Sequence, residues 1–140
     1  MRLSTLLILA CPLTVSADDP TKKHSLVGTW TVVSANDEGR DATEELKKEI
    51  EKLVLTKKEF IVHNVRNNVI DRSTYTLYPK NPTWIDFRNV KADRLHRGLF
   101  KVEKDKLTFC VSDKRNGPRP TSFTPGNDVH VLVLKRVKTK

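Results

Sequence analysis

The side chains with chemistry to offer are four histidines, two cysteines and a cluster of cations near residue 115. His24, His63, His96 and His130 are far apart in sequence. No two lie at i, i+2 or i, i+4 on one element, the spacing that would let a strand or helix present a metal-ligand pair, so no metal site is expected. Cys110 sits between Phe109 and Val111 in an apolar run, where a thiol is expected to be a small packed residue rather than a nucleophile. There is no G-x-S-x-G elbow and no glycine-rich phosphate loop. Paired carboxylates occur at Asp18-Asp19, Asp37-Glu38 and Glu44-Glu45, in a tail, a turn and the start of a helix, where water solvates them. The expectation is a protein without catalytic residues and without a cofactor. Arg119, with Lys114 and Arg115, could gather at one lip and hold an anion, since guanidinium groups bind carboxylates and phosphates in a planar fork. The competing expectation is a latch: Pro120 stiffens the loop, Phe123 anchors it, and Arg119 bonds carbonyls of the body.

Charge is unevenly spread. The chain carries 26 basic and 17 acidic residues, net +9. Residues 18–65 hold 8 basic and 10 acidic groups, whereas residues 66–140 hold 17 and 7. A basic half attracts anionic surfaces, and an anionic envelope surface is one partner this composition suggests. Arg88, Lys91, Arg94, Arg97, Lys114, Arg115 and Arg119 would carry such contacts. The plainer expectation is a solubilising surface. Aromatics interleave too sparsely with the basic residues for nucleic acid to be an expected partner.

The elements that must position these groups are mostly strands. Residues 26–34 are β-branched and aromatic, and residues 36–39 supply turn chemistry. Asp41 and Glu44 have capping-box spacing, and Leu46, Ile50 and Leu53 form one apolar stripe, which predicts a helix of about three turns. Period-two alternation then takes over through Leu53 and Leu55, and again through Phe60, Val62 and Asn64. Asn67-Asn68 fits a tight turn, because asparagine tolerates positive φ. Further strands are predicted over 69–78 and 83–88. A hairpin over 96–103 and 106–112 turns at Lys104-Asp105. After a loop over 113–120, Phe123 is predicted in a short extended piece, and the last strand covers 129–137. Its run Val131-Leu132-Val133-Leu134 predicts cover on both faces. The fold class expected is mainly β: a small antiparallel barrel of about eight strands with one short helix after the first strand. Eight strands enclose an interior just wide enough to be filled by side chains or to hold one small ligand. Periodicity alone leaves an open sandwich as the alternative.

The first residues read as an export signal. Arg2 precedes the apolar run 3–10, and Val15-Ser16-Ala17 offers small residues for cleavage. The expected division is a signal peptide over 1–17, a flexible mature start over 18–25 and one domain over 26–137. The apolar run is too short for a membrane span, so no transmembrane segment is expected. Ile8-Leu9-Ala10-Cys11 offers a second processing route that would leave a lipidated Cys11. Leu9 and the shortness of a ten-residue signal weigh against it. Location is expected to be periplasmic or extracellular.

Residues 26–34 (LVGTWTVVS) followed by Gly39, then Trp84-Ile-Asp-Phe87, Arg97-Gly-Leu-Phe-Lys-Val-Glu103, Asp105-Lys-Leu-Thr-Phe-Cys110, Arg119-Pro-Thr-Ser-Phe123 and Val133-Leu-Lys-Arg136 together resemble an uncharacterised lipocalin-like exported domain family abundant in planctomycete bacteria. The resemblance spans 26–136 and is loosest over 57–80. It implies export and a barrel, and it brings no established activity and no catalytic residues. It also implies that Gly28, Trp30 and Arg136 close one end of the barrel, the guanidinium covering the indole. The function expected is non-enzymatic binding of a small apolar or amphipathic ligand. The alternative is a structural or interaction module of the cell envelope with a filled barrel and a basic outer face.

Overall fold

Alternation of inward and outward side chains decides the architecture, because successive strand residues point to opposite faces. The computed structural model describes residues 25–138. The signal segment, both its processing sites and His24 lie outside the described residues. In chain order the elements are β1 (Gly28–Asp37), β2 (Arg40–Asp41), α1 (Thr43–Glu49), β3 (Ile50–Leu55), β4 (Glu59–Asn64), β5 (Val69–Tyr78), β6 (Asn81–Asn89), β7 (Leu95–Glu103), β8 (Lys106–Ser112) and β9 (Val129–Arg136). The eight long strands pair antiparallel with their neighbours, and β9 returns to β1, closing the barrel. Closure leaves none of the long strands with an unpaired edge.

The inward positions form one core of Leu26, Trp30, Leu53, Leu55, Val62, Ile85, Phe87, Leu107, Phe109 and Leu134. A second, smaller cluster lies on the outer wall. Leu99, Cys110 and Val131 are cross-strand neighbours there, and Phe123 and Val129 pack over them. The last strand is therefore apolar on both faces because it lines the core on one side and lies under the 113–128 loop on the other.

Three local expectations are corrected. The helix has two turns, not three. Ile50 and Leu53 belong to β3, where Leu53 stands opposite both Trp30 and Val62. Pairing on two sides outweighs a helical stripe that no neighbour would have covered. Asp41 does not cap as a box: α1 starts from Ala42 with no side-chain cap, and the Asp41 carboxylate accepts from the Thr43 amide at 3.0 Å. Phe123 lies in irregular loop rather than an extended piece, since its ring is held by the outer cluster and by Lys101, whose Nζ is 4.8 Å from the ring centroid. At the far end of β1 the turn is tight: Glu38 and Gly39 both have positive φ, as a two-residue hairpin turn requires.

One end of the barrel is sealed. Trp30 is fully buried and donates from Nε1 to the Leu26 carbonyl at 3.0 Å. The Arg136 guanidinium lies 4.2 Å from the ring and donates to the Val27 and Ser25 carbonyls at 2.9 and 2.8 Å. Gly28 makes room for it. A Cβ at that position would stand 2.7 Å from Arg136 Nη1, and its φ of +150° is one that side chains rarely adopt.

Trp30→Ala should cost about 3–5 kcal/mol, as truncation of a buried large aromatic does. Gly28→Ala should cost on the order of 1–3 kcal/mol through strain and the displaced guanidinium. Gly126→Ala, where nothing lies within 4 Å, should be nearly neutral. Urea midpoints of the three variants check this; a Gly28→Ala midpoint equal to that of Gly126→Ala would contradict the seal.

Candidate functional site

At the end opposite Trp30 the inward side chains become shorter and polar. Along β9 they run Leu134, Leu132, His130, and along β8 Leu107, Phe109, Val111, then Asp113 just past the strand. Where the apolar filling stops, a cavity of about 460 Å³ opens. Phe60, Phe87 and Phe109 form its apolar wall with Val111 and Leu132. The three rings meet edge to face, at 5.3 Å between Phe60 and Phe87, 5.4 Å between Phe87 and Phe109 and 6.0 Å between Phe60 and Phe109. Such pairs hold their geometry because ring edges are positive and faces negative. Ser73 on β5 is small where its partner Phe60 is large, which leaves the space. Helix α1 flanks the mouth: a second depression of about 310 Å³ between Leu46, Glu49 and the barrel reaches the same His130 and Leu132.

Asp71, Arg94, His96, Asp113 and His130 form the rim. His130 is held between two carboxylates. Its Nε2 is 2.8 Å from Asp113 Oδ1 and its Nδ1 is 2.8 Å from Asp37 Oδ1. His96 Nδ1 is 3.0 Å from the Ser112 carbonyl oxygen, which only accepts, so Nδ1 carries the proton and Nε2 of the neutral ring is an acceptor. Asp71 accepts from Asn89 Nδ2 at 2.8 Å. Arg94 has no ion-pair partner among the described residues. The rim thus offers fixed donors and acceptors above an aromatic wall. Among the described residues, no three His, Cys, Asp or Glu side chains stand in a metal-ligand arrangement.

Asp113 on the rim and Glu38 beside it have displaced titrations. The hydrogen bond from His130 holds the Asp113 carboxyl below the usual range. Glu38, hydrogen-bonded to Asp113 and repelled by its charge, is pushed up.

Gly28, Trp30 and Arg136 lie at the sealed end, far from this chemistry. Of Lys114, Arg115 and Arg119, for which a lip and a latch were both open, Arg119 takes the latch arrangement. Arg119 lies against the outer wall, where it donates to Asp86 Oδ1 at 2.7 Å and to the Gly98 and Ile85 carbonyls at 2.7 and 3.2 Å. Its guanidinium stacks over Trp84 at 4.4 Å and faces Tyr78 at 5.5 Å. With its charge matched by Asp86 and its side chain only 14% exposed, Arg119 latches the loop and has no face left for a free anion. Lys114 pairs with Asp128 at 3.0 Å, and Arg115 is exposed. Cys110 is fully buried in the outer cluster, and burial pushes its thiol up, away from the reactive thiolate.

Sequence spacing missed the rim because its members are far apart in the chain. Asp37, Asp113 and His130 meet only when β1 and β9 pair and the 113–128 loop folds back. The available signal was the alternation itself. Counted every second residue from Leu134 or Leu107, the inward series passes from apolar to His130 and Asp113. His63, on β4, does not line the cavity.

Asp113 has a folded titration point below its unfolded value of about 3.9. Its contribution to stability is therefore present above that pH and is lost as pH falls through the folded value. Glu38 has the opposite sign, contributing below about 4.3 and losing that contribution as pH rises through its raised value. His130→Asn should move the Asp113 midpoint up toward the ordinary carboxylate value, and Asp113→Asn should move that of Glu38 down. Carboxyl carbon-13 NMR titration reads both; unmoved midpoints would show that the contacts do not exist in solution. Comparison of the chain with protein-family models, with curated proteins and with solved structures found no match, so its functional reading rests on the geometry of the barrel.

Proposed function

We propose that this barrel is a non-enzymatic binding protein for a small amphipathic molecule. The apolar part would lie against Phe60, Phe87 and Phe109, and the polar end would bond the rim of Asp71, Arg94, His96, Asp113 and His130. The observation that carries this reading is the graded cavity: about 460 Å³, apolar below and ionisable above. That volume falls in the roughly 300–1,000 Å³ range of small-molecule sites, and a few convergent polar groups over an apolar wall is their usual composition. Export by residues 1–17 and membership of the planctomycete lipocalin-like family belong to the same proposal. Retention of an apolar ligand outside the cell is a task that needs a sealed floor and an open mouth, and no chemistry.

An uncharged, polarity-sensitive dye such as Nile red tests it. The wild type should bind one equivalent with a blue-shifted emission. Val111→Trp, which fills the cavity from β8, should weaken binding at least ten-fold. Val33→Trp, on an exposed position of the outer wall, should leave it unchanged. Equal affinity in both variants, with wild-type urea midpoints, would exclude the cavity as the site.

A further inference from the structure

The loop tips beside the cavity mouth carry an exposed apolar patch. Val65, Val69, Ile70 and Val90 are 55%, 47%, 51% and 59% exposed. They come from two separate places in the chain, the β4–β5 turn with the start of β5, and the start of the β6–β7 loop. The fold makes them neighbours. Val69, Ile70 and Val90 line one depression of about 280 Å³, and Val65 and Ile70 line another of about 410 Å³. Four large aliphatic side chains left in water at one end of a barrel are costly and need a reason.

Cations surround them. Lys91 and Arg72 lie on the first depression, and Lys48 and Arg66 on the second, against the acids Asp71 and Glu49. Among the described residues, Lys48, Arg66 and Lys91 have no carboxylate at ion-pair distance. Arg72 is paired with Glu59 at 2.9 Å. Other cations of the basic half are matched within the fold, Arg88 by Asp93, Arg97 by the Asn116 and Gly117 carbonyls, Lys114 by Asp128 and Arg119 by Asp86, whereas Lys48, Arg66 and Lys91 face solvent beside the apolar tips.

We propose that this end of the barrel docks on an anionic lipid bilayer, with Val65, Val69, Ile70 and Val90 entering the interface and Lys48, Arg66 and Lys91 meeting the head groups. Two features favour lipid over a protein partner. Four aliphatic tips fall far short of the about 20–30 residues a side that a specific protein interface uses. The patch also lacks the aromatic anchors that dominate such interfaces. A bilayer asks only for apolar tips within a basic ring. The surface does not depend on the cavity being a binding site. Asp71 belongs both to the first depression and to the cavity mouth, so docking would turn the mouth toward the membrane.

Vesicle flotation with the full chain tests the proposal, comparing phosphatidylglycerol-containing vesicles with pure phosphatidylcholine. The wild type should float with the anionic vesicles and release as salt rises. Ile70→Asp with Val90→Asp should reduce partitioning at least ten-fold. Arg66→Gln with Lys91→Gln should reduce it about five-fold per charge removed. All four positions are exposed, so folding should survive, with Trp30 emission as the check. Val65→Asp with Val69→Asp serves as a second apolar variant. Partitioning that no tip variant alters, or that is the same with and without phosphatidylglycerol, would overturn the proposal, as would a wild type that never floats. Nile red binding by the vesicle-deficient variants is read separately: its retention shows that docking has been lost while the cavity reading stands.

Discussion

The burial of Trp30 beneath Arg136 is the interaction on which the rest of the molecule depends. The two residues stand opposite each other where β1 pairs with β9, so the pair that closes the barrel also plugs it. A guanidinium over an indole contributes roughly 0.5–2 kcal/mol. Its larger effect is geometric. Arg136 ties β9 to the carbonyls of Ser25 and Val27, and so fixes the segment that crosses the barrel end. With that end sealed and the lower interior filled by Leu53, Leu55, Ile85, Leu107 and Leu134, no channel runs through the barrel, and any void must open at the far end.

Two designs therefore share one set of strands. Toward Trp30, large apolar side chains meet across the interior and exclude water. Toward His130, Ser73 and Val111 leave a gap beside three phenylalanines, and the ends of the strands supply ionisable groups. Apart from Arg94, those groups are held and not loose. His130 is held by Asp113 with Asp37 close on its other side, His96 through a carbonyl and Asp71 through Asn89. Fixed donors and acceptors lose less entropy on meeting a ligand than mobile ones do. On the outer wall, Arg119 spends its charge on Asp86 and two carbonyls, so the 113–128 loop covers Leu99, Cys110 and Val131 and brings Asp113 to the mouth.

The strand order and the barrel were legible because period-two alternation survives in nearly every segment. The β5 strand runs over 69–78 in the structure as in the sequence, and the 96–112 hairpin turns at Lys104-Asp105 in both. Helix α1 was overextended because Ile50 and Leu53 fit a helical stripe as well as a strand; only the partners Trp30 and Val62, distant in sequence, decide between them. The rim was illegible for a related reason. Its charged residues look like ordinary turn chemistry until closure puts Asp37 opposite His130. Arg119 was visible as a cation with structure around it, but its partner Asp86 lay among outward residues of β6, where a solvent-facing acid was the natural reading.

The central claim is a barrel sealed at one end and open to an amphipathic ligand at the other. The five phenylalanines of the chain report on it directly. Fluorine NMR of fluorophenylalanine-labelled protein, titrated with octyl glucoside below its micelle concentration, separates the cavity from the outer wall. The account predicts that Phe60, Phe87 and Phe109 shift together along one saturable curve while Phe123, in the outer cluster, stays in place. A shift of Phe123 alone, or of no ring at all, would contradict it.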